Sequence, residues 1–263
     1  MEAIRRPQPR IEFTDQIIKN AIEKTHTEHK KNGKAENTIR SVSTSLRKLN
    51  ANTDLHNPEE VKLYIANLKL RNNTKQRLVA SYNYFCQTNQ IQWNRPKYYK
   101  WDRITPIIPT TENIYKIISG ATKKYATIFT ILAETGLEAH ELATMQRKDI
   151  DATQGIITAR GCKGHNSRPF KLKQQTAEML RKYLAEFTSE NPFPSSHSMG
   201  EIWIRTRTKL AEMLNQPELK NIPMRNLRHY FATTKYDQTK DILLIKQLLG
   251  HKKNSKQQCS IHS

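Results

Sequence analysis

The segment that decides the fold is residues 222–251, IPMRNLRHYFATTKYDQTKDILLIKQLLGH. It contains Leu-Arg-His at 227–229 with Phe-Ala-Thr at 231–233, and then Leu-Gly-His at 249–251. A single Leu-Gly-His carries little information, because short motifs recur by chance. Two blocks in this order and at this separation are a specific signal, so we interpret the rest of the chain outward from them.

This segment resembles the end of the catalytic domain of tyrosine recombinases, whose pattern reads roughly H-x-L-R-H-x-F-A-T before a helix that closes with L-G-H. The family's nucleophilic tyrosine follows that helix. Here the residues after His251 are KKNSKQQCSIHS, which contain no tyrosine, and Ser260 stands near the expected position. The resemblance implies metal-free cleavage and rejoining of DNA through a 3′-phosphotyrosine, without a cofactor. Serine lacks the acidity and reach of a phenol, so we do not propose Ser260 as the nucleophile.

Composition indicates a polyanionic partner. The 263 residues include 44 Lys and Arg against 24 Asp and Glu, a formal charge of +20. Solubility requires no such surplus, and nucleic acid is the default partner of so basic a chain. No run approaches the ~18 apolar residues of a membrane span, and the start MEAIRRPQPR lacks the apolar core of a signal peptide. Three widely spaced cysteines argue against a disulfide framework or a zinc cluster, so we expect a cytoplasmic protein without a metal.

The N-terminal part is predicted to be a helical bundle that follows a flexible arm. Residues 1–13 are polar and contain prolines, whereas residues 14–90 show apolar stripes at three- and four-residue steps. One helix start is explicit at Asn57-Pro58-Glu59-Glu60, which combines a capping Asn, a first-turn Pro and acids at the positive end of the dipole. Four such amphipathic helices predict a small bundle.

Residues 91–111 interrupt the helical periodicity and form the best domain boundary. Their mixture of aromatic and basic residues is suited to phosphates, sugars and bases. A linker pinned to the two domains by Trp93 and Trp101 explains the same composition equally well. The basic residues of this stretch are Arg95, Lys97, Lys100 and Arg103.

Residues 112–263 are predicted to be mostly helical with one β-hairpin. Two β-rich runs flank a glycine-containing turn in GIITARGCKGHNSRPFKLK, residues 155–173. Gly136 is expected to end one helix as its C-cap, and helices resume at Gln174. Residues 191–200 are predicted to be a polar loop before another helix.

The whole order resembles that of a tyrosine recombinase, which implies a mostly α protein with a small β-sheet (α+β). The implied parts are a helical, SAM-like core-binding domain at 14–90 and an integrase-type catalytic domain at 112–263, with a C-terminus that is truncated or altered. The resemblance implies that the protein clamps duplex DNA and assembles as a tetramer on two sites. It also implies a location at the nucleoid of a prokaryotic host.

The resemblance assigns site residues one by one. Arg228 matches the second arginine, which binds a phosphate oxygen; Arg225 lies where the family usually has His. His251 matches the histidine of the last motif, although a helix C-terminal histidine stabilised by the dipole fits as well. Lys163, at the predicted turn, matches the general-acid lysine, with a solvated turn lysine as the alternative.

The first motif departs from the family pattern. Residues 134–142, ETGLEAHEL, resemble T-G-L-R-x-x-E-L, with Glu138 where the first arginine should be. Loss of one such donor typically costs about a hundred- to a thousand-fold in rate. Glu138 could pair with Arg225, so that the two departures compensate; independent drift is the alternative.

Three further residues are candidates for DNA contact. His229 is either a site residue or a buried structural one, while Arg168 and Lys171 would make the hairpin a phosphate-binding element. Tyr230 and Tyr236 lie too early to be the nucleophile and are expected to pack in the core.

The sequence therefore predicts a site-specific recombination protein that binds a double-stranded DNA attachment site and takes no small-molecule substrate. The missing tyrosine has three possible explanations: a degenerate gene product, a natural binding-only relative, or a reading-frame fault. The alternative function is an inactive regulator or decoy that occupies attachment sites. An unrelated helical RNA-binding protein would not account for the two sequence blocks.

Overall fold

A computed structural model describes residues 12–97, 99, 108–160 and 167–250. The chain divides into two compact units, Met1–Ile104 and Thr105–Ser263. Within the described residues, no helix has the length and apolar character needed to span a bilayer. Nor do those residues contain a group of three His, Cys, Asp or Glu side chains placed to hold a metal ion.

The first unit is a four-helix bundle, as the periodicity predicts. Its helices are α1 (Glu12–Lys31), α2 (Glu36–Asn50), α3 (Pro58–Asn67) and α4 (Asn72–Thr88). Helix α3 begins as predicted, because Asn57 accepts a hydrogen bond from the Glu60 N–H at 3.3 Å and Pro58 is its first residue. The apolar stripes of the helices meet in one core, in which Leu49, Tyr82 and Phe85 are fully buried.

The first residues after α4 also belong to this unit. Trp93 packs edge-on against Tyr82 with 4.7 Å between ring centroids, and its Nε1 donates to Asn83 Oδ1 at 3.3 Å. Gln76 donates to the Tyr99 carbonyl at 2.6 Å. Trp101, the second tryptophan of the predicted linker, lies outside the described residues.

The second unit is mostly helical with a small sheet. Its helices are α5 (Thr111–Ser119), α6 (Lys123–Thr135), α7 (Ala139–Ala143), α8 (Gln174–Glu186), α9 (Ser196–Met213), α10 (Asn226–Thr239) and α11 (Ile242–Leu248). Two 3-10 turns cover Arg147–Asp149 and Pro217–Asn221. The strands are β1 (Ile150–Asp151), β2 (Ile156–Ala159) and β3 (Arg168–Lys171).

The predicted hairpin is confirmed as β2 and β3, which pair antiparallel with Ile157 opposite Phe170. Strand β1 joins them to give the order β1-β2-β3. The sequence does not reveal β1, because two residues are too short to show a period-two pattern.

The predicted polar loop at 191–200 is wrong in its second half, since α9 begins at Ser196. Ser195 is the N-cap, and its hydroxyl accepts a hydrogen bond from the Ser198 N–H at 3.2 Å. A helix start rich in Ser and Gly looks like a loop in sequence, because the same small polar residues favour both.

Helix α9 fixes the segment that leads into the last motif. Trp203 is fully buried and meets Phe129 of α6 edge-on at 4.9 Å. Its indole Nε1 donates to the Ile222 carbonyl at 2.8 Å. The chain therefore enters α10 from an anchored position, next to the residues expected to form the site.

Candidate active site

The site forms where the end of α6 meets α10. Gly136 caps α6 in the left-handed region, with φ of +67°, as the sequence predicts. There it packs directly against the ring of Phe231 on α10, which leaves no room for a Cβ. The first motif and the later Phe-Ala-Thr block therefore contact each other through Gly136 and Phe231.

Arg228 is held at the centre of this contact by backbone carbonyls. Its Nη1 donates to the Gly136 carbonyl at 2.7 Å, and its Nη2 donates to the Leu249 carbonyl at 2.8 Å. Its side chain is 11% exposed. Because each bond fixes one end of the planar guanidinium, the group has a set orientation before any ligand arrives.

Glu141 provides the buried negative charge of the site. Its carboxylate has no exposed surface and lies 3.0 Å from Nη2 of Arg168 and 3.6 Å from Nη1 of Arg228. One of its oxygens also accepts a hydrogen bond from the Glu138 N–H at 2.9 Å. An unpaired buried carboxylate would be costly, and the two arginines give this one its ionic partners.

The electrostatics of Arg228 and His229 follow from burial. Desolvation lowers the pKa of the Arg228 guanidinium, while Glu138 and Glu141 act in the opposite direction. Burial, reinforced by Arg225 and Arg228, lowers the pKa of His229. The lowered pKa favours the neutral form of the half-buried His229, so among the described residues of the site the positive charge comes from the arginines.

Glu138 does not form the pair that the sequence suggests. It is half-buried at the start of α7, and no ion pair within 4.0 Å joins it to Arg225. Its carboxylate instead acts on Arg228, where it opposes the lowering of the pKa by desolvation. Arg225 is exposed at the position that precedes α10. The compensation suggested between Glu138 and Arg225 is therefore not supported by a direct ion pair.

The two hairpin residues predicted to contact DNA lie in different environments. Arg168 is buried, and its Nε donates to the Leu248 carbonyl at 2.6 Å. Its Nη2 also donates to the buried carboxylate of Glu141 at 3.0 Å, so its predicted DNA contact stays a prediction. Lys171 is exposed, and its Nζ donates to the Gln154 carbonyl in the turn between β1 and β2.

Several predicted residues lie outside the described part of the chain. These are Lys163, His251, Ser260, Lys100 and Arg103. Arg95 and Lys97 are described, and both are exposed.

The two tyrosines before the expected nucleophile position behave differently. Tyr230 is half-buried against the core of the second unit, as expected. Tyr236 is 42% exposed and lies beside the Lys240 ammonium, 5.4 Å from its ring centroid, so its predicted burial is wrong. Tyr236 lies on a solvent-exposed turn of α10. An aromatic residue type alone does not show whether the residue lies on the buried or the exposed face of a helix.

Sequence reasoning missed Glu141. Its signal is the Glu three residues after the N-cap Glu138, which is the spacing of a capping box. If Glu141 is interpreted as the third residue of a capped helix, its carboxylate is expected to lie beside Glu138, which stands at the position of the first arginine.

A second site lies in the first unit and was also missed. A groove between α2 and α4, called here the basic groove, is lined by Arg40, Lys48 and Arg77 together with polar groups from Asn37 and Thr44. No Asp or Glu is among its described lining residues. In sequence these residues are spread over two helices, so only the packing of the bundle brings them together.

Comparisons with known proteins agree with this geometry. The sequence model of a family described as "Phage integrase family" matches residues 109–262. The tyrosine recombinase XerA of Pyrococcus furiosus is 27% identical over 233 residues, which cover 83% of this chain and 81% of that protein. XerA of Thermococcus onnurineus is 25% identical over 250 residues, covering 90% and 88%.

Solved structures share the fold. A lambda integrase tetramer bound to a Holliday junction has a TM-score of 0.69 and 13% identity, covering 95% of this chain and 84% of that one. The Tn1549 transposon integrase in complex with transposon right end DNA has a TM-score of 0.69 and 14% identity, covering 88% and 91%. Both similarities concern the fold of the chain.

Proposed function

Because the chain belongs to the phage integrase family, we propose that it is a site-specific DNA recombination protein that binds a duplex attachment site through both of its units. We further propose that it acts as a tetramer on DNA. The XerA proteins that it resembles are tyrosine recombinases, and the lambda integrase with the same fold is a tetramer on a Holliday junction.

The observation that carries the proposal is the fixed guanidinium of Arg228. Two backbone carbonyls orient it, and it lies at the meeting point of the two sequence blocks. A planar, permanently charged donor that is oriented before the ligand arrives is suited to a phosphate oxygen of a DNA backbone. Its remaining N–H groups are the ones we assign to that phosphate.

The basic groove supports DNA binding by the first unit. Arg40, Lys48 and Arg77 supply charge for backbone phosphates, and Asn37 and Thr44 supply neutral donors and acceptors for base edges. The absence of carboxylates from the described lining means that nothing there repels a polyanion. Together with the charge of +20, this favours nucleic acid over a small-molecule ligand.

We propose that the residues of this sequence bind the site without completing strand exchange. Ser260 stands near the position of the family's tyrosine, and Glu138 stands at the position of its first arginine. A carboxylate beside the reacting phosphate opposes the charge that develops there. DNA binding persists with these two residues in place, because the other cations remain, although the carboxylate of Glu138 weakens it.

The regulator or decoy is the second candidate, and the electrostatic action of Glu138 on Arg228 favours it. Such a protein occupies attachment sites and keeps recombinases from them. It predicts tight, salt-sensitive binding with no covalent protein–DNA product.

One experiment tests both candidates. The purified chain is mixed with a nicked duplex that carries the DNA flanking its own gene, and binding is measured by gel shift across a salt series. A denaturing gel of the same reactions detects a covalent product. Salt-sensitive binding that weakens in Arg228→Lys, but not in the exposed-arginine control Arg160→Lys, supports the proposal.

The outcomes are distinct. A covalent band that disappears in Arg228→Lys would mean an active recombinase whose nucleophile lies elsewhere, and it would overturn the binding-only proposal. A preference for structured RNA over duplex DNA would overturn the DNA-binding proposal itself.

A further inference from the structure

Two arginines cap the C-terminal end of α11. Arg168 on β3 donates from Nε to the Leu248 carbonyl at 2.6 Å, and Arg228 on α10 donates from Nη2 to the Leu249 carbonyl at 2.8 Å. The last carbonyls of a helix have no partner within the helix. Cationic donors at that end also complement the helix dipole, so both bonds hold α11 in place.

The same two arginines share the buried carboxylate of Glu141. Nη2 of Arg168 lies 3.0 Å from each of the two carboxylate oxygens, and Nη1 of Arg228 lies 3.6 Å from one of them. Without this carboxylate, two buried guanidinium groups would repel each other. Arg168 does act on Arg228 in that sense, and Glu141 opposes it.

We propose that Arg168 is a positioning residue for the phosphate-binding arginine, and that it acts through Glu141 and through the end of α11. Arg168 fixes the carboxylate, the carboxylate fixes one edge of Arg228, and both arginines fix the helix end that precedes Gly250 and His251. The hairpin strand β3 is thereby tied to α7, α10 and α11 at a single buried point.

Direct contact between Arg168 and DNA is the alternative to this role. Its side chain is 8% exposed, and it donates both to a backbone carbonyl and to a buried carboxylate. Arg228 is buried to a similar degree, at 11% exposed, so burial does not separate the two residues, and we assign the phosphate to Arg228 because of its position in the Leu-Arg-His block. In the proposed role, Arg168 acts on Arg228 through Glu141 and the end of α11.

The salt dependence of DNA binding separates the two roles. A residue that neutralises a phosphate contributes about 0.9 to the slope of log K against log salt concentration. Removal of a positioning residue lowers affinity but leaves the slope unchanged, because the number of neutralised phosphates stays the same. This readout rests on the proposed DNA-binding function.

The experiment compares Arg168→Lys and Glu141→Gln with Arg160→Lys as the matched control. Arg160 follows the last residue of β2, is exposed, and pairs with Asp149 at 2.8 Å. We expect the two test variants to lose about tenfold or more in affinity, as removal of a supporting partner typically does, at the wild-type slope. Because Lys keeps the charge of Arg, the slope is also measured in Arg168→Gln against Arg160→Gln, and a slope lower by about 0.9 in Arg168→Gln alone would overturn the proposal.

Hydrogen exchange tests the positioning independently of DNA. The Leu249 and Gly250 amides bond to the Ile245 and Gln247 carbonyls at the end of α11. These two amides should exchange faster in Arg168→Lys than in Arg160→Lys, while the α8 amides stay unchanged. Unchanged exchange at Leu249 and Gly250 would overturn the proposal.

Failure of the proposed function and failure of the positioning role of Arg168 give different results. A wild-type chain without salt-sensitive DNA binding would refute the proposed function, and the exchange at Leu249 and Gly250 would still decide the positioning role. If Arg168→Lys does not fold, the double variant Arg168→Met with Glu141→Met removes both buried charges together, which proteins often tolerate. Wild-type affinity and exchange in that double variant would contradict the role of Arg168.

Discussion

Gly136 and Phe231 meet so closely that a Cβ on the glycine would lie 2.8 Å from Cγ of the phenylalanine ring. The glycine also has a φ of +67°, a conformation that L side chains rarely adopt. Its carbonyl accepts a hydrogen bond from Arg228, three residues before Phe231 in sequence. One contact therefore sets both the packing of α6 on α10 and the position of the arginine.

We predict that Gly136→Ala destabilises the second unit by at least about 2 kcal/mol. Left-handed strain on a non-glycine residue costs about 1–3 kcal/mol, and forced overpacking adds about 1–3 kcal/mol. Gly33→Ala is the matched control, because Gly33 has a φ of +65° but nothing within 4 Å of an added Cβ. Thermal unfolding should show the larger loss in Gly136→Ala, and equal losses would mean that the Phe231 contact contributes nothing.

The helical elements could be predicted because their signals are local. The Asn57 cap and the Gly136 C-cap both depend on a few neighbouring residues, and both are found as predicted. The start of α9 was missed because its cap, Ser195, lies in a run of small polar residues that is also typical of loops. Strand β1 was missed because its two residues form a strand only when β2 pairs with them.

The site could be predicted only in part. The position of Arg228 follows from the sequence blocks, but its partners do not, since Gly136, Glu141 and Leu249 are distant along the chain. The burial of Arg168 was not predictable, because a basic residue in a hairpin is usually exposed and its buried carboxylate lies 27 positions earlier. Opposite charge favours a pair between Glu138 and Arg225, but no ion pair within 4.0 Å joins their charged atoms.

The basic groove leads to a prediction about salt dependence. Replacing Arg40, Lys48 or Arg77 with Gln should lower the slope of log K against log salt by about 0.9 for each phosphate contact that is lost. Lys62→Gln is the control, because Lys62 lies on α3, outside the lining of the groove, and pairs with Glu59 at 3.4 Å. Gel shifts across a salt series measure the slopes. Groove variants that match Lys62→Gln would show that this face does not contact DNA.

The first unit should lose stability in acid through His29. Burial, with Lys34 and His26, lowers the pKa of His29 below its ordinary value of 6.5. Its Nε2 is buried without a hydrogen-bond partner, and its ring packs edge-on against Tyr84 at 4.5 Å. The unfolded chain therefore takes up a proton first, so stability falls as the pH drops from about 6.5 towards the lower folded-state pKa.

His29→Phe keeps a ring against Tyr84 but cannot be protonated. We expect the free energy of unfolding of the first unit to depend less on pH between 7.5 and 5.5 in this variant than in the wild type. Hydrogen exchange of the α2 and α4 amides, compared between variant and wild type at each pH, isolates that unit. An identical pH dependence in both proteins would show that His29 is not the responsible group.

Glu138 is the residue whose replacement should strengthen DNA binding. A unit charge about 10 Å from a phosphate, at an effective dielectric constant of about 20, contributes roughly 1.7 kcal/mol. Removing the carboxylate in Glu138→Gln should therefore raise affinity by about tenfold. Glu178→Gln makes the same change of net charge on the exposed face of α8 and serves as the control.

Glu138→Arg should bind more tightly still, because it replaces a repelling group with a donor. Since no ion pair within 4.0 Å joins Glu138 to Arg225, this gain should not require the second change Arg225→His. Affinity measured for Glu138→Arg, for Arg225→His and for the double variant decides the matter. If the gain appears only in the double variant, the two residues are coupled after all, through a path other than a direct ion pair. If Glu138→Gln and Glu178→Gln gain equally, Glu138 acts only through net charge and does not face the bound phosphate.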